Sequence, residues 1–104
     1  MKQILIDKFV VPAAAFAEFT ERMNYNRNFI KKLDGFVQDG VYKRTNEAGD
    51  PVIVTMAVWE NAGMIEKAKI AVQAEYLRIG FKMVDFITNR GIKIEREFYE
   101  ELTD

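Results

Sequence analysis

An α+β fold with elements in the order β-α-β-β-α-β is what this 104-residue chain predicts, on three observations. Residues 3–11 and 52–59 are runs of Val, Ile, Leu, Phe and Met with the β-branched bias of buried strands. Two longer stretches carry apolar residues at spacings of three, four and seven, the signature of helices. Proline and glycine stand where the period changes.

The first strand stops at Pro12, which suits the start of a helix because its missing N–H has no intrahelical partner there. From Ala13 a helix of about five turns is expected, with Phe16, Phe19, Met23, Ile30 and Leu33 as its stripe and Gly35 as its stop. Residues 36–45 read as the second strand, 46–51 as a hairpin loop and 52–59 as the third strand. Glu60-Asn61 opens a second helical region, its core stripe read as Met64, Ile65, Ala68, Ile70, Ala74, Leu77, Phe81 and Val84, with a break at Gly80. Asn89-Arg90-Gly91 ends it. Residues 92–102 close the chain as a strand, with Ile92, Ile94 and Phe98 on one side and Lys93, Glu95 and Glu97 on the other. This is the split βαβ order of a ferredoxin-like sandwich with an antiparallel sheet, one domain over residues 1–104.

The composition excludes much chemistry. With no Cys there is no disulfide, thiolate nucleophile or Fe–S cluster, and with no His there is no Ser-His-Asp triad and no imidazole ligand for metal or haem. Acid–base work falls to Asp, Glu, Lys or Tyr. Neither a cofactor nor a metal is expected. A net charge of -1 lacks the basic footprint of a nucleic-acid partner. No apolar run reaches the roughly 18 residues of a membrane span, and the N-terminus has no signal-peptide pattern, so a cytoplasmic protein is expected.

Both middle strands are apolar on both sides. Ile4, Ile6 and Val10 alternate with Leu5, Phe9 and Val11, and the third strand is apolar at every position but Thr55. Both helices of this topology lie on one face of the sheet, which leaves the other with a contiguous apolar patch that monomers rarely expose. A second copy of the same sheet is the simplest cover, so a homodimer through the sheet faces is expected. The second helical region adds Tyr76, Ile79, Met83, Phe86 and Ile87, an apolar sector wider than one surface-helix face needs. It suits a helix buried in a dimer or the wall of an adaptable apolar pocket.

Two junctions then fall into place. Leu33-Asp34-Gly35-Phe36 joins the first helix to the second strand, and Trp59-Glu60-Asn61 joins the third strand to the second helix, with one hairpin between them. Over essentially its whole length the chain resembles the antibiotic biosynthesis monooxygenase (ABM) domain family, whose members carry Pro-Gly-Phe-like and Trp-Glu-Ser-like sequences at these places. Asp34 and Asn61 depart from that pattern. The resemblance implies a dimeric α+β barrel. It implies oxidation of quinols or phenolic polyketides by O₂ without a cofactor in some relatives, and haem degradation in others. Trp59 matches the Trp that haem-degrading members set against their substrate, and Asp7 falls where they have an Asn. Their haem-ligating His has no counterpart here, which disfavours haem chemistry.

Asp7 sits between Leu5 and Phe9 on one face of an apolar strand. It is a candidate general base for a phenol or enol proton, or else the partner of a Lys or Arg at a sheet end. Trp59 packs in the core or lines a site with its N–H as donor. Tyr42, Tyr76, Met83 and Phe86 are candidate contacts to a small apolar or aromatic molecule. The polar run Asn24-Tyr25-Asn26-Arg27-Asn28 reads as a solvated helix face, with Arg27 and Asn28 as further candidates. Two functions stay open: a cofactor-independent monooxygenase oxidising a small aromatic or quinol-type substrate with Asp7 as base, and a non-catalytic dimeric module that binds a small ligand or a partner.

Overall fold

The computed structural model describes residues 1–102. The β-biased runs form β1 (Gln3–Val10), β2 (Phe36–Thr45), β3 (Pro51–Trp59) and β4 (Lys93–Glu100), and the helical periods form α1 (Phe16–Ile30), α2 (Ala62–Ile79) and α3 (Met83–Asn89). α1 starts three residues later than the periodicity implies. No side chain caps it, and a 3₁₀ turn at Ala13–Ala15 intervenes, closed by the Ala15 N–H donating to the Pro12 carbonyl at 2.8 Å. Pro51 belongs to β3 rather than to the loop, at the first position of the strand, where a missing N–H costs least. Asn61 caps α2, its Oδ1 accepting from the Met64 N–H at 3.0 Å. Gly80, at φ 69°, ends α2 and turns the chain into α3.

The sheet has strand order β2-β3-β1-β4, antiparallel throughout. Paired residues share a face, so the register sorts every side chain. Phe9 meets Phe19 of α1 with ring centroids 4.8 Å apart, which marks the face bearing Leu5, Asp7 and Phe9 as the helix side. Ile53, Thr55, Ala57 and Trp59 of β3 and Ile94, Arg96 and Phe98 of β4 share it. One core cluster there joins Phe9, Val11, Ala15, Phe19, Ile53 and Ile92, with Phe86 and Ile87 of α3 against it. A second joins Ala57, Trp59 and Ala68, with Met64 and Ile65 of α2 against it.

The opposite face carries no helix. Its centre is mostly apolar, with Ile4, Ile6 and Val10 beside Val52, Val54, Met56 and Val58, and with Lys8 between Ile6 and Val10 at the register of Glu95. Tyr42 and Arg44 flank it from β2, and Glu95 and Glu97 from β4. The Tyr42 side chain lies over Gly40, where a Cβ would meet its hydroxyl end. The face is less wetted than the sequence implies: Val52 is 2% exposed, at the floor of a concavity of about 340 Å³ that Lys8, Tyr42 and Arg44 also line.

One sequence expectation changes. Ile70, Leu77 and Val84, read as core residues of the second helical region, lie on the outside, Leu77 at 85% exposure. The packed side carries Met64, Ile65 and Ala68 of α2 and Phe86 and Ile87 of α3. At about 100° per residue Ile70 stands some 200° round α2 from Ala68 and Leu77 seven residues further on the same outer side, and α3 starts its own helix after the break at Gly80. Ile94 and Phe98 face the helix layer but remain exposed, since β4 is an edge strand beyond the helices' reach.

The turn from α1 into β2 is held by one glycine. Gly35 has φ 82°, its carbonyl accepts from the Glu60 N–H at 2.9 Å, and a Cβ on it would collide with the Met64 side chain. Gly35→Ala combines left-handed backbone strain with overpacking, and is expected to lower unfolding stability by about 3 kcal/mol in urea titrations.

Candidate functional site

The polar residues that converge on the helix side of the sheet are set there by register and helix face. Asp7 is opposite Thr55 on β3 and Arg96 on β4, in the middle of its strand. It is 7% exposed, the one buried charged residue among those described. Arg96 forks onto it, Nε donating to Oδ1 at 2.7 Å and Nη2 to Oδ2 at 2.9 Å. This bond holds the Arg96 guanidinium above its ordinary pKa. The partner is thus a mid-strand neighbour and not a residue at a sheet end.

Above this pair stands Tyr76 of α2. Its O–H donates to the Asn26 Oδ1 of α1 at 3.2 Å. Burial pushes the Tyr76 phenol up, the Arg22 and Arg96 charges oppose that shift, and Asp7 adds to it. A phenol so placed is a neutral hydrogen-bond donor at neutral pH. Phe81, between α2 and α3, meets the Tyr76 ring edge-on at 5.0 Å and the Phe86 ring at 5.5 Å. Two guanidinium groups lie on this aromatic ladder, Arg22 at 3.7 Å from the Phe81 centroid and Arg90 at 4.1 Å from that of Phe86. Arg90 is also paired with Glu18 at 2.7 Å. The arrangement gathers a carboxylate, a phenol and guanidinium charge beside apolar rings, with the carboxylate bonded to Arg96 and the phenol to Asn26.

The other sequence candidates fall in different places. Met83 is half-buried at the start of α3. Trp59 shares the helix face but is 3% exposed and packs edge-on against Phe36 at 5.6 Å. It lies four residues beyond Thr55 on β3, roughly 13 Å along the strand from Asp7's partner. Arg27 ties α1 to β2 through Asp39 at 2.7 Å, and Asn28 is exposed. Tyr42 stands on the opposite face of the sheet. The polar run of α1, read as a solvated face, serves helix contacts instead. Asn26 takes the Tyr76 hydroxyl, and the Tyr25 hydroxyl donates to Glu75, whose carboxyl is drawn down to about 2 by the Arg78 fork and that hydroxyl.

Arg22, Asn26, Phe81 and Arg96 complete the cluster and are not among the sequence candidates. Arg96 had a legible signal: Ile94-x-Arg96-x-Phe98 mirrors Leu5-x-Asp7-x-Phe9, opposite charges centred in two apolar alternations. Among the described residues no group of acidic side chains could hold a metal ion, and no helix is long and apolar enough to cross a membrane.

No family model and no curated protein sequence matches this chain. Solved structures do. SnoaB of Streptomyces nogalater, a cofactor-independent oxygenase, superposes with a TM-score of 0.69 at 19% identity, covering 99% of this chain and 95% of that one. A dimeric ferredoxin-like protein from an uncultured marine organism gives 0.74 at 9% identity, covering 99% and 97%. A Deinococcus radiodurans protein proposed to be an antibiotic biosynthesis monooxygenase gives 0.68 at 12%, covering 98% and 94%. The chain shares their fold. The ferredoxin-like α+β architecture read from the sequence, and the likeness to ABM-type proteins at the level of structure, both stand.

The Asp7–Arg96 pair makes a measurable claim. Arg96→Leu leaves a buried carboxylate without its partner and is expected to cost about 2 kcal/mol in urea unfolding, less than for a fully buried pair because Arg96 is half exposed. Replacing both residues by Leu is expected to recover most of that loss.

Proposed function

We propose that this chain is a cofactor-independent monooxygenase that oxidises a small aromatic or quinol-type substrate with O₂. The observation that carries this is the buried Asp7 carboxylate beside the Tyr76 hydroxyl, under the Phe81–Phe86 rings. The Arg96 fork, closed on both oxygens in the free chain, opens at one of them; Asp7 takes the phenolic proton there while Arg96 keeps the other, and Tyr76 and the rings orient the substrate. Met83 and Phe86 belong to the apolar wall. The electron-rich substrate anion passes one electron to O₂, and the radical pair recombines with formation of a carbon–oxygen bond. Asp7 returns its proton to the resulting peroxide, and the ring proton and hydroxide then leave together as water, so that a quinone remains. Substrate and O₂ are thus converted to quinone and water, with the substrate as sole reductant. Carboxylates are weak bases, so the substrate must be an acidic phenol or enol.

The working unit in this reading is a cytoplasmic homodimer joined through the helix-free sheet faces. Three observations support the dimer. The centre of that face is apolar. The accessible surface of 6957 Å² exceeds the roughly 6,000 Å² usual for a monomer of this mass. One protein of the same fold is described as dimeric. In a dimer of this kind Tyr42 is an interface residue, while Trp59, Arg27 and Asn28 support the walls rather than touch the substrate.

The alternative, a dimeric small-ligand-binding module, is favoured by one feature. Concavities of about 340 and 170 Å³ lie away from Asp7, whose two oxygens are both bonded to Arg96. An oxygen electrode separates the two readings. With a panel of hydroxynaphthalenes, the oxygenase is expected to consume O₂ and release the quinone. Asp7→Asn, shown folded by circular dichroism, is expected to lower the rate about 100-fold or more. Ligand binding without O₂ uptake across the panel would instead identify the module.

A further inference from the structure

The arginines of this chain that meet a second element are nearly all paired with carboxylates: Arg27 with Asp39, Arg90 with Glu18 and Arg96 with Asp7. Arg22 is the exception. Among the described residues no carboxylate lies within ion-pair distance of it, although it is half-buried between α1 and the linker that follows Gly80. Its guanidinium lies on the Phe81 ring at 3.7 Å and is 5.3 Å from the Tyr25 centroid, so the aromatic contacts use its flat face. The N–H groups around its edge are left for another acceptor.

The charges around the Tyr76 ring make the same point. In the free chain the charge of Asp7 is matched by Arg96, and Tyr76 is a neutral phenol bonded to Asn26. Arg22 is then an uncompensated positive charge beside the Tyr76 ring, where it acts on the phenol. A half-buried cation with free donors, next to stacked rings, is a recognition element for a planar aromatic that carries an anionic oxygen, because a guanidinium binds a carboxylate or enolate in two parallel hydrogen bonds.

We infer that Arg22 is the specificity-determining residue of this cleft, selecting planar aromatic molecules that bear a carboxylate or comparably acidic oxygen over neutral ones of the same shape. This rests on the reading that the cleft between sheet and helices takes an aromatic ligand, and does not require that the ligand be oxidised.

Isothermal titration at pH 7 with two probes tests it: 1-hydroxy-2-naphthoate, an anion, and 2-naphthol, neutral with the same rings. The wild-type chain is expected to bind the anion about tenfold or more tightly than 2-naphthol. Arg22→Gln is expected to remove that preference while leaving 2-naphthol affinity within about twofold, and Arg22→Lys to keep part of it. Arg44→Gln, a cation on the opposite sheet face, is expected to change neither. Thermal melts establish that each variant is folded. Equal affinity of the wild-type for the two probes, no binding of either, or an anion preference that survives Arg22→Gln overturns the inference. Anion-selective binding with no O₂ uptake upholds it and removes only the oxygenase reading.

Discussion

The alternation of side chains across a sheet that helices cover on one side only governs this molecule. Every residue of β1 and β3 must belong to one of two environments, and both environments are apolar at the centre. On the helix side, Phe9, Ile53 and Trp59 bury against α1, α2 and α3. On the other side, Ile4, Ile6, Val54 and Met56 have no helix to meet. The molecule is accordingly a slab, 39 × 38 × 18 Å, with a radius of gyration of 14.3 Å where about 13 Å is usual for this length. Burial of roughly 25 cal/mol per Å² rewards any surface that closes the open face, and a second identical sheet offers the same flat apolar centre and polar flanks.

The same alternation delivers a charge to the helix side. Asp7 occupies a position that an apolar residue would fill more cheaply, and Arg96 is at the matching register position on β4 to meet it. A buried ion pair of this kind is weak evidence of stability and better evidence of use, because its desolvation cost is offset only in part by the pairing. What the helices bring to it, Tyr76, Asn26, Arg22 and Phe81, depends on Gly80 ending α2 and releasing Phe81 to turn inward.

The sequence carries the fold well and the site partly. β1 and β3 are legible because both of their faces are apolar, and Asn61, Gly80 and Gly35 mark their helix boundaries by known backbone chemistry. The inward side of α2 is not legible. Ile70, Leu77 and Val84 form as good an apolar stripe as the residues that pack, and only the tertiary packing of Met64, Ile65 and Ala68 against Trp59 decides between them. Asp7 stands out as a carboxylate inside an apolar alternation. Its neighbours do not, since Arg22 and Asn26 are polar residues on a polar helix and only the meeting of α1 with α2 gives them a role. Tyr42 and Tyr76 look equivalent in sequence, and strand pairing puts the first on the side opposite to the second.

Sedimentation equilibrium addresses the two-sided sheet most directly. The wild-type chain at micromolar concentration is expected at twice its 12.1 kDa mass. Met56→Lys, which places a charge at the centre of the open face, is expected to sediment at the single-chain mass with its circular dichroism unchanged. A wild-type chain that runs as a monomer at micromolar concentration would contradict the view that this face is built to be covered by its own copy.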